Sequence, residues 1–139
     1  MDDRNLLLLL EVEMPFVYKE VQSLEGKDKV GNAECVTLIK TYTSAGWTGR
    51  WKQGEAVVGN KYLKQGTAIA NFANGRWPGK AHGNHSAFYL GQVPDGIYIL
   101  DQWPDKKKIG KRFIRRKGKD ARGNFITPSD NADAFSVIE

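Results

Sequence analysis

The chain of 139 residues has one cysteine, two histidines and two methionines. A single thiol excludes an intrachain disulfide framework and a cysteine-based zinc site, because both need more sulfur atoms than the chain carries. Stability must therefore come from a packed core. Long apolar runs are also missing. The longest, Leu6 to Leu10, has five leucines between Asp2, Asp3 on one side and Glu11, Glu13 on the other. It is too short to span a bilayer, and it has the wrong length and flanking charge for a signal peptide. No internal repeat, heptad pattern or low-complexity linker occurs. What the chain does have is 40% apolar residues, 11% aromatic residues and 15 glycines, which excludes disorder and indicates a folded unit with many turns. The length fits one domain. We expect an N-terminal extension at 1–15 and a single domain at 16–139.

The net charge of +5 is concentrated in one place. Lys106 to Arg122 holds ten of the 21 basic residues and one acid, Asp120, so this segment carries +9 and the rest of the chain −4. Such a stretch suits an anionic polymer, either nucleic acid or an acidic cell-wall glycan, but a solvated charged hairpin has the same composition.

Apolar spacing divides the rest into elements. Phe16 to Leu24 fits a helix or an extended lead-in equally well. Asn32 is a favourable N-cap, and Val36, Leu38, Ile39 and Tyr42 then form one helical face, with Cys35 in the first turn. Gly46 to Gly59, with Trp47 and Trp51, reads as a loop packed by its tryptophans. Gly66 to Phe72 reads as a strand, and Ala73 to Gly79 as a turn-rich loop. Two further strands, His85 to Leu90 and Ile97 to Trp103, are joined across Gly91 to Gly96 as a hairpin. Lys111 to Lys117 and Ala134 to Ile138 complete an antiparallel sheet. The expected class is α+β.

These elements place three chemically useful side chains. A thiol of ordinary pKa is only a few per cent ionised at neutral pH, so a nucleophilic cysteine needs help. The first turn of a helix gives some through its unpaired N–H groups, and a nearby imidazolium gives more. His85 is better held for that purpose than His82, which lies in a glycine-flanked loop, and small Ala87 leaves room beside it for a substrate or the cysteine helix. Asp101, at the end of the next strand, suits the role of orienting the imidazole, with Gln102 next in line, since a slip of one residue exchanges the two faces. Each residue alone also fits plain packing: a buried free cysteine, a structural histidine, an acid ending a strand.

Asn32 to Val36, Gly83 to Gly91 and Ile97 to Trp103 together resemble the three signatures of papain-like amidases of the CHAP and NlpC type, over about Phe16 to Glu139. The resemblance implies a helix carrying the cysteine packed on an antiparallel sheet. It also implies hydrolysis of amide bonds in peptidoglycan peptides through a thioester, with Cys35 as nucleophile, His85 as base and acid, and Asp101 as orienting group. The Cys35 N–H would be one oxyanion donor, with the second left open between Asn32 and Tyr18 to Ser23. No cofactor or metal enters, and neither nucleic acid nor membrane is an expected partner. A small, basic amidase of this kind resembles the type VI secretion amidase effectors. That implies synthesis in the bacterial cytoplasm, action in a target cell's periplasm, and a possible cognate immunity protein.

Two other functions fit the sequence: a non-enzymatic nucleic-acid-binding module using Lys106 to Arg122, and a papain-like enzyme acting on a protein substrate. Trp77 and Trp103, beside the histidine and the acid, are the tryptophans best placed to bind substrate, and Asn74 to Asn84 is a candidate flap.

Overall fold

The computed structural model describes residues 15–139. The leucine run and nearly all of the expected N-terminal extension lie outside the described residues. Among those described, one α-helix, α1 (Cys35–Tyr42), packs on a six-stranded antiparallel sheet. Its strands are β1 (Gln53–Ala56), β2 (Ala68–Asn71), β3 (Ser86–Val93), β4 (Gly96–Asp101), β5 (Gly110–Arg115) and β6 (Phe135–Ile138), in the order β1-β6-β2-β3-β4-β5. The class is α+β, as expected.

Alternation along the strands sorts the core into two layers. Ala68 and Ala70 of β2, Phe88 of β3 and Leu100 of β4 meet Leu38 and Ile39 of α1 in one cluster, which Trp51, Val21 and Leu24 extend. The two alanines let the helix come close to the sheet, and Phe88 fills the space beside them. Truncating Phe88 to alanine would cost about 3–5 kcal/mol. On the opposite face, Ile69, Ala87, Tyr89, Ile97, Ile99, Ile114 and Phe135 pack with Val57 and Ala132.

Several local expectations need correction. Asn32 is not the N-cap. Glu34 holds that position without a side-chain cap, and Cys35 is the first helical residue. Asn32 instead braces the turn, its Oδ1 accepting from the Glu34 N–H at 3.1 Å and the Thr37 hydroxyl at 2.6 Å. Gly46 to Gly59 is not all loop, because Gln53–Ala56 pairs with β6 as an edge strand. Trp51 is buried there while Trp47 is exposed. The hairpin connection is shorter than expected: β3 continues through Val93, which pairs with Gly96, leaving Pro94 and Asp95 as the turn. Phe16 to Leu24 combines both readings, with Val17 bridged to Thr67 and a 3₁₀ turn over Val21–Leu24.

Candidate active site

The site forms where the start of α1 meets the ends of β3 and β4. Register explains why. Phe88 pairs with Leu100 and Tyr89 with Ile99, and one more step of the same ladder sets Asp101 opposite Ala87. Asp101 and His85 then share a face two residues apart, within diagonal reach. The His85 Nε2 and Asp101 Oδ2 lie 2.7 Å apart, with both residues buried. Since Nε2 faces the carboxylate, Nδ1 is the nitrogen left for the Cys35 thiol, which lines the same cleft and whose thiolate the imidazole favours electrostatically. The structure thus brings Cys35, His85 and Asp101 together at one site.

Ala87 is placed differently from the sequence reading. It packs with Ile69 and Phe135 on the face away from α1, so the room it leaves is for the His85–Asp101 contact and not for the helix. His82 is exposed in the loop bordering the site. Gln102 does not approach His85, since it points to the helix face. There its Oε1 accepts from the Val30 N–H at 2.9 Å, and its Nε2 donates to the Val30 and Glu34 carbonyls at 3.2 and 2.9 Å. Gln102 therefore holds the segment that delivers Cys35. That segment includes Ala33 at φ 68°, a left-handed conformation unusual for a residue with a Cβ.

Three supporting residues escaped the sequence reading. Asn71 of β2 is buried, and its Oδ1 accepts from the His85 N–H at 2.9 Å while its own N–H donates to the His85 carbonyl at 3.0 Å. Lys106 and Arg112 both donate to Asp101, at 2.6 and 2.8 Å. They were legible only as members of a basic run. Both cations also lie against the Trp103 ring, 4.8 and 5.2 Å from its centroid.

Electrostatics follow from these neighbours. Burial pushes the Asp101 carboxyl up, but the hydrogen bond and charge of His85, then Arg112 and Lys106, outweigh it and hold the group at about 2. Burial disfavours the His85 imidazolium, yet Asp101 and the Cys35 sulfur raise its pKa above the ordinary value. Burial likewise opposes the Cys35 thiolate, and the His85 hydrogen bond and charge overcome it, so the thiol titrates below its usual value. The helix start adds an N–H at Cys35 with no intrahelical acceptor.

A cleft of about 780 Å³ opens over the sulfur. Its walls include Glu34, Lys40, Trp77, Trp103, Arg112 and Asp130, with 79–85 along one side. Trp77 and Trp103 thus border the site, and Trp77 rests edge-on against buried Trp51. Neither Asn32 nor Tyr18 to Ser23 lines this cleft. In the candidate flap, Asn84 exchanges two hydrogen bonds with the Lys80 backbone, at 2.8 and 3.1 Å, closing 80–84 on itself.

The basic stretch is largely neutralised within the molecule. Lys106, Lys108, Lys111, Arg112, Arg116 and Lys117 all pair with carboxylates. Arg115 and Lys119 lie over the Phe113 and Phe125 rings. A surface meant to follow a polyanion leaves its cations available for phosphates. The internal pairing favours the structural account of this charge.

The sequence model of the family described as Domesticated amidase effector 2 matches residues 7–138. The chain is 44% identical to the Type VI secretion amidase effector 2 protein of Salmonella typhi, over 91% of this chain and 100% of that protein. It is 36% identical to Domesticated amidase effector 2 of Ixodes scapularis, over 79% of this chain and 73% of that one. The solved structure of Type 6 secretion amidase effector 2 superposes with a TM-score of 0.83 at 43% identity, covering 88% of this chain and 93% of the other.

Proposed function

The chain belongs to the amidase effector 2 family of type VI secretion effectors, and from that premise we propose that it hydrolyses amide bonds of peptidoglycan peptides with Cys35 as nucleophile. The observation that carries this reading is a single buried imidazole, His85, bonded to the Asp101 carboxylate and lining the same cleft as the Cys35 thiol. We assign the reaction to the 16–139 domain.

The steps follow from the geometry. Nδ1 of His85 takes the thiol proton, and the sulfur attacks the amide carbonyl carbon to form a C–S bond. The oxygen gains negative charge, which the Cys35 N–H at the helix start is positioned to accept. His85 then returns its proton to the leaving nitrogen as the C–N bond breaks, leaving a thioester. Water, deprotonated by the same imidazole, attacks the thioester carbonyl, releasing the acid product and the thiol. Asp101 keeps the proton on Nε2 throughout, so that Nδ1 stays free for the exchange.

In this reading the protein is delivered into a rival cell, acts in its periplasm, and is restrained at home by an immunity protein that fills the cleft. The test is digestion of isolated peptidoglycan by the protein and by its Cys35→Ala variant, with mass analysis of the fragments. New amine and carboxyl ends from the parent alone are expected. Absence of new ends from both would overturn the reading, and cleavage of an offered protein in place of peptidoglycan would redirect it to a protein substrate.

A further inference from the structure

Ser86 follows His85 directly and has no part in the mechanism above. It is fully buried, and among the described residues its Oγ is the buried side-chain oxygen that lacks a hydrogen-bond partner. Burying a hydroxyl unpaired carries a desolvation penalty that alanine would avoid, so such a group in a native fold calls for a reason.

Its position suggests one. Strand alternation turns Ser86 toward the α1 face, the side on which Phe88 packs against Leu38 and Ile39, while His85 turns the other way. Asn71 fixes the backbone at His85 from both its N–H and its carbonyl, which leaves Ser86 little freedom. Cys35 opens the helix packed on this strand, and both the hydroxyl and the main-chain N–H of Ser86 act on its sulfur, each in the direction that favours the thiolate.

We propose that Ser86 is a thiolate-binding residue, whose hydroxyl and main-chain N–H donate to the Cys35 sulfur once the thiol proton has passed to His85 Nδ1. The charged sulfur then lies among three donors: the imidazolium and the two groups of Ser86. In this transfer the S–H bond breaks and the N–H bond forms, with no change at carbon. The hydroxyl is unpaired while the thiol is neutral, gains a charged acceptor on ionisation, and loses it when the sulfur becomes a neutral thioester. It therefore stabilises one state of the cycle selectively. This proposal rests on Cys35 being the nucleophile.

The other titratable groups lining the cleft are Glu34 and Lys40 on the α1 side, Lys80 and His82 on the loop, Arg112 on β5, and Asp105 and Asp130 across the cleft. None changes in a Ser86 variant. Cys35 is the chain's one cysteine, so alkylation by iodoacetamide reads this sulfur alone. Rates measured against pH for the parent, Ser86→Ala and His85→Ala give the test. For Ser86→Ala, the rate near pH 6 should fall about tenfold, with the alkaline plateau retained and the melting temperature unchanged or higher. A Ser86→Ala profile that superimposes on the parent's would overturn the proposal. A melting temperature several degrees lower would also overturn it, since the hydroxyl would then be a structural partner. If His85→Ala also matches the parent, the nucleophile reading falls too. If His85→Ala shifts while Ser86→Ala does not, the Ser86 proposal falls alone.

Discussion

His85 donates through Nε2 to Asp101 Oδ2 at 2.7 Å, and Asp101 is closed to solvent. The same carboxylate also receives Lys106 and Arg112, so it pairs with two cations while orienting one imidazole. Asp101→Asn should lower kcat by about 10²–10⁴-fold, because an amide can present its NH₂ to the ring and reverse the tautomer. Asp101→Ala should also destabilise the fold by about 3–5 kcal/mol, since it leaves Lys106 partly buried without its anion and Arg112 with Asp130 alone. Turnover assays and denaturant titrations would separate the two effects.

Acid should unfold the protein through this same group. The folded-state pKa of Asp101, about 2, lies below the unfolded-state value near 4. A lowered carboxyl contributes its full stability above the unfolded pKa and loses it as pH falls through the folded one. About 2–3 kcal/mol should therefore disappear between about pH 4 and pH 2. Denaturant midpoints taken across that range should fall less steeply for Asp101→Asn than for the parent.

The pH dependence of kcat/KM should be bell-shaped. Cys35 titrates low because its burial is outweighed by His85, and His85 titrates high because its burial is outweighed by Asp101. The rate needs the thiolate and the imidazolium together, so the acid limb should fall below the ordinary thiol value and the alkaline limb above the ordinary imidazole value. Both limbs belong to the coupled pair. Asp101→Asn should move the alkaline limb downward, and an unchanged limb would contradict the electrostatic account.

Gln102 offers a test of how the nucleophile is held. Gln102→Leu removes three hydrogen bonds to Val30 and Glu34 and leaves the part-buried Val30 N–H unpaired at a cost of about 1–3 kcal/mol, while the two carbonyls keep their turn partners Ala33 and Thr37. We expect kcat to fall more than KM rises, because the cleft walls stay while the start of α1 loosens. Gln102→Glu keeps the acceptor for the Val30 N–H but not the two donors, so its activity should lie between the parent and Gln102→Leu.

Much of the fold was legible because burial on both faces leaves a strong local record. Ala87, Tyr89, Ile97 and Ile99 alternate with Phe88 and Leu100 in a two-period pattern, and Leu38 and Ile39 fall at helical spacing. The elements that were missed or shortened lack that record. The edge strand Gln53–Ala56 is mostly exposed and carries little apolar signal. The Asn32 cap was read from residue preference, but the left-handed Ala33 behind it shifts the helix start and gives the asparagine side chain other partners. The cations of 106–122 looked like a surface for a polyanion, because their acidic partners Asp28, Asp130 and Asp133 lie far away in sequence or outside the run.

The sequence by itself determined the α+β class, the helix with the thiol in its first turn and the hairpin that carries an imidazole and a carboxylate. These depend on short-range periodicity and on residue types at element ends, which act within a few residues. Only the tertiary structure decided that Asp101 meets His85 while Gln102 braces the Cys35 segment. It also decided that Asn71, Lys106 and Arg112 support that meeting, and that Ser86 is left unpaired beside the sulfur. Those outcomes depend on strand register and on contacts between residues distant in the chain. One step of register reverses which of two adjacent side chains faces the site, and no local preference encodes that step.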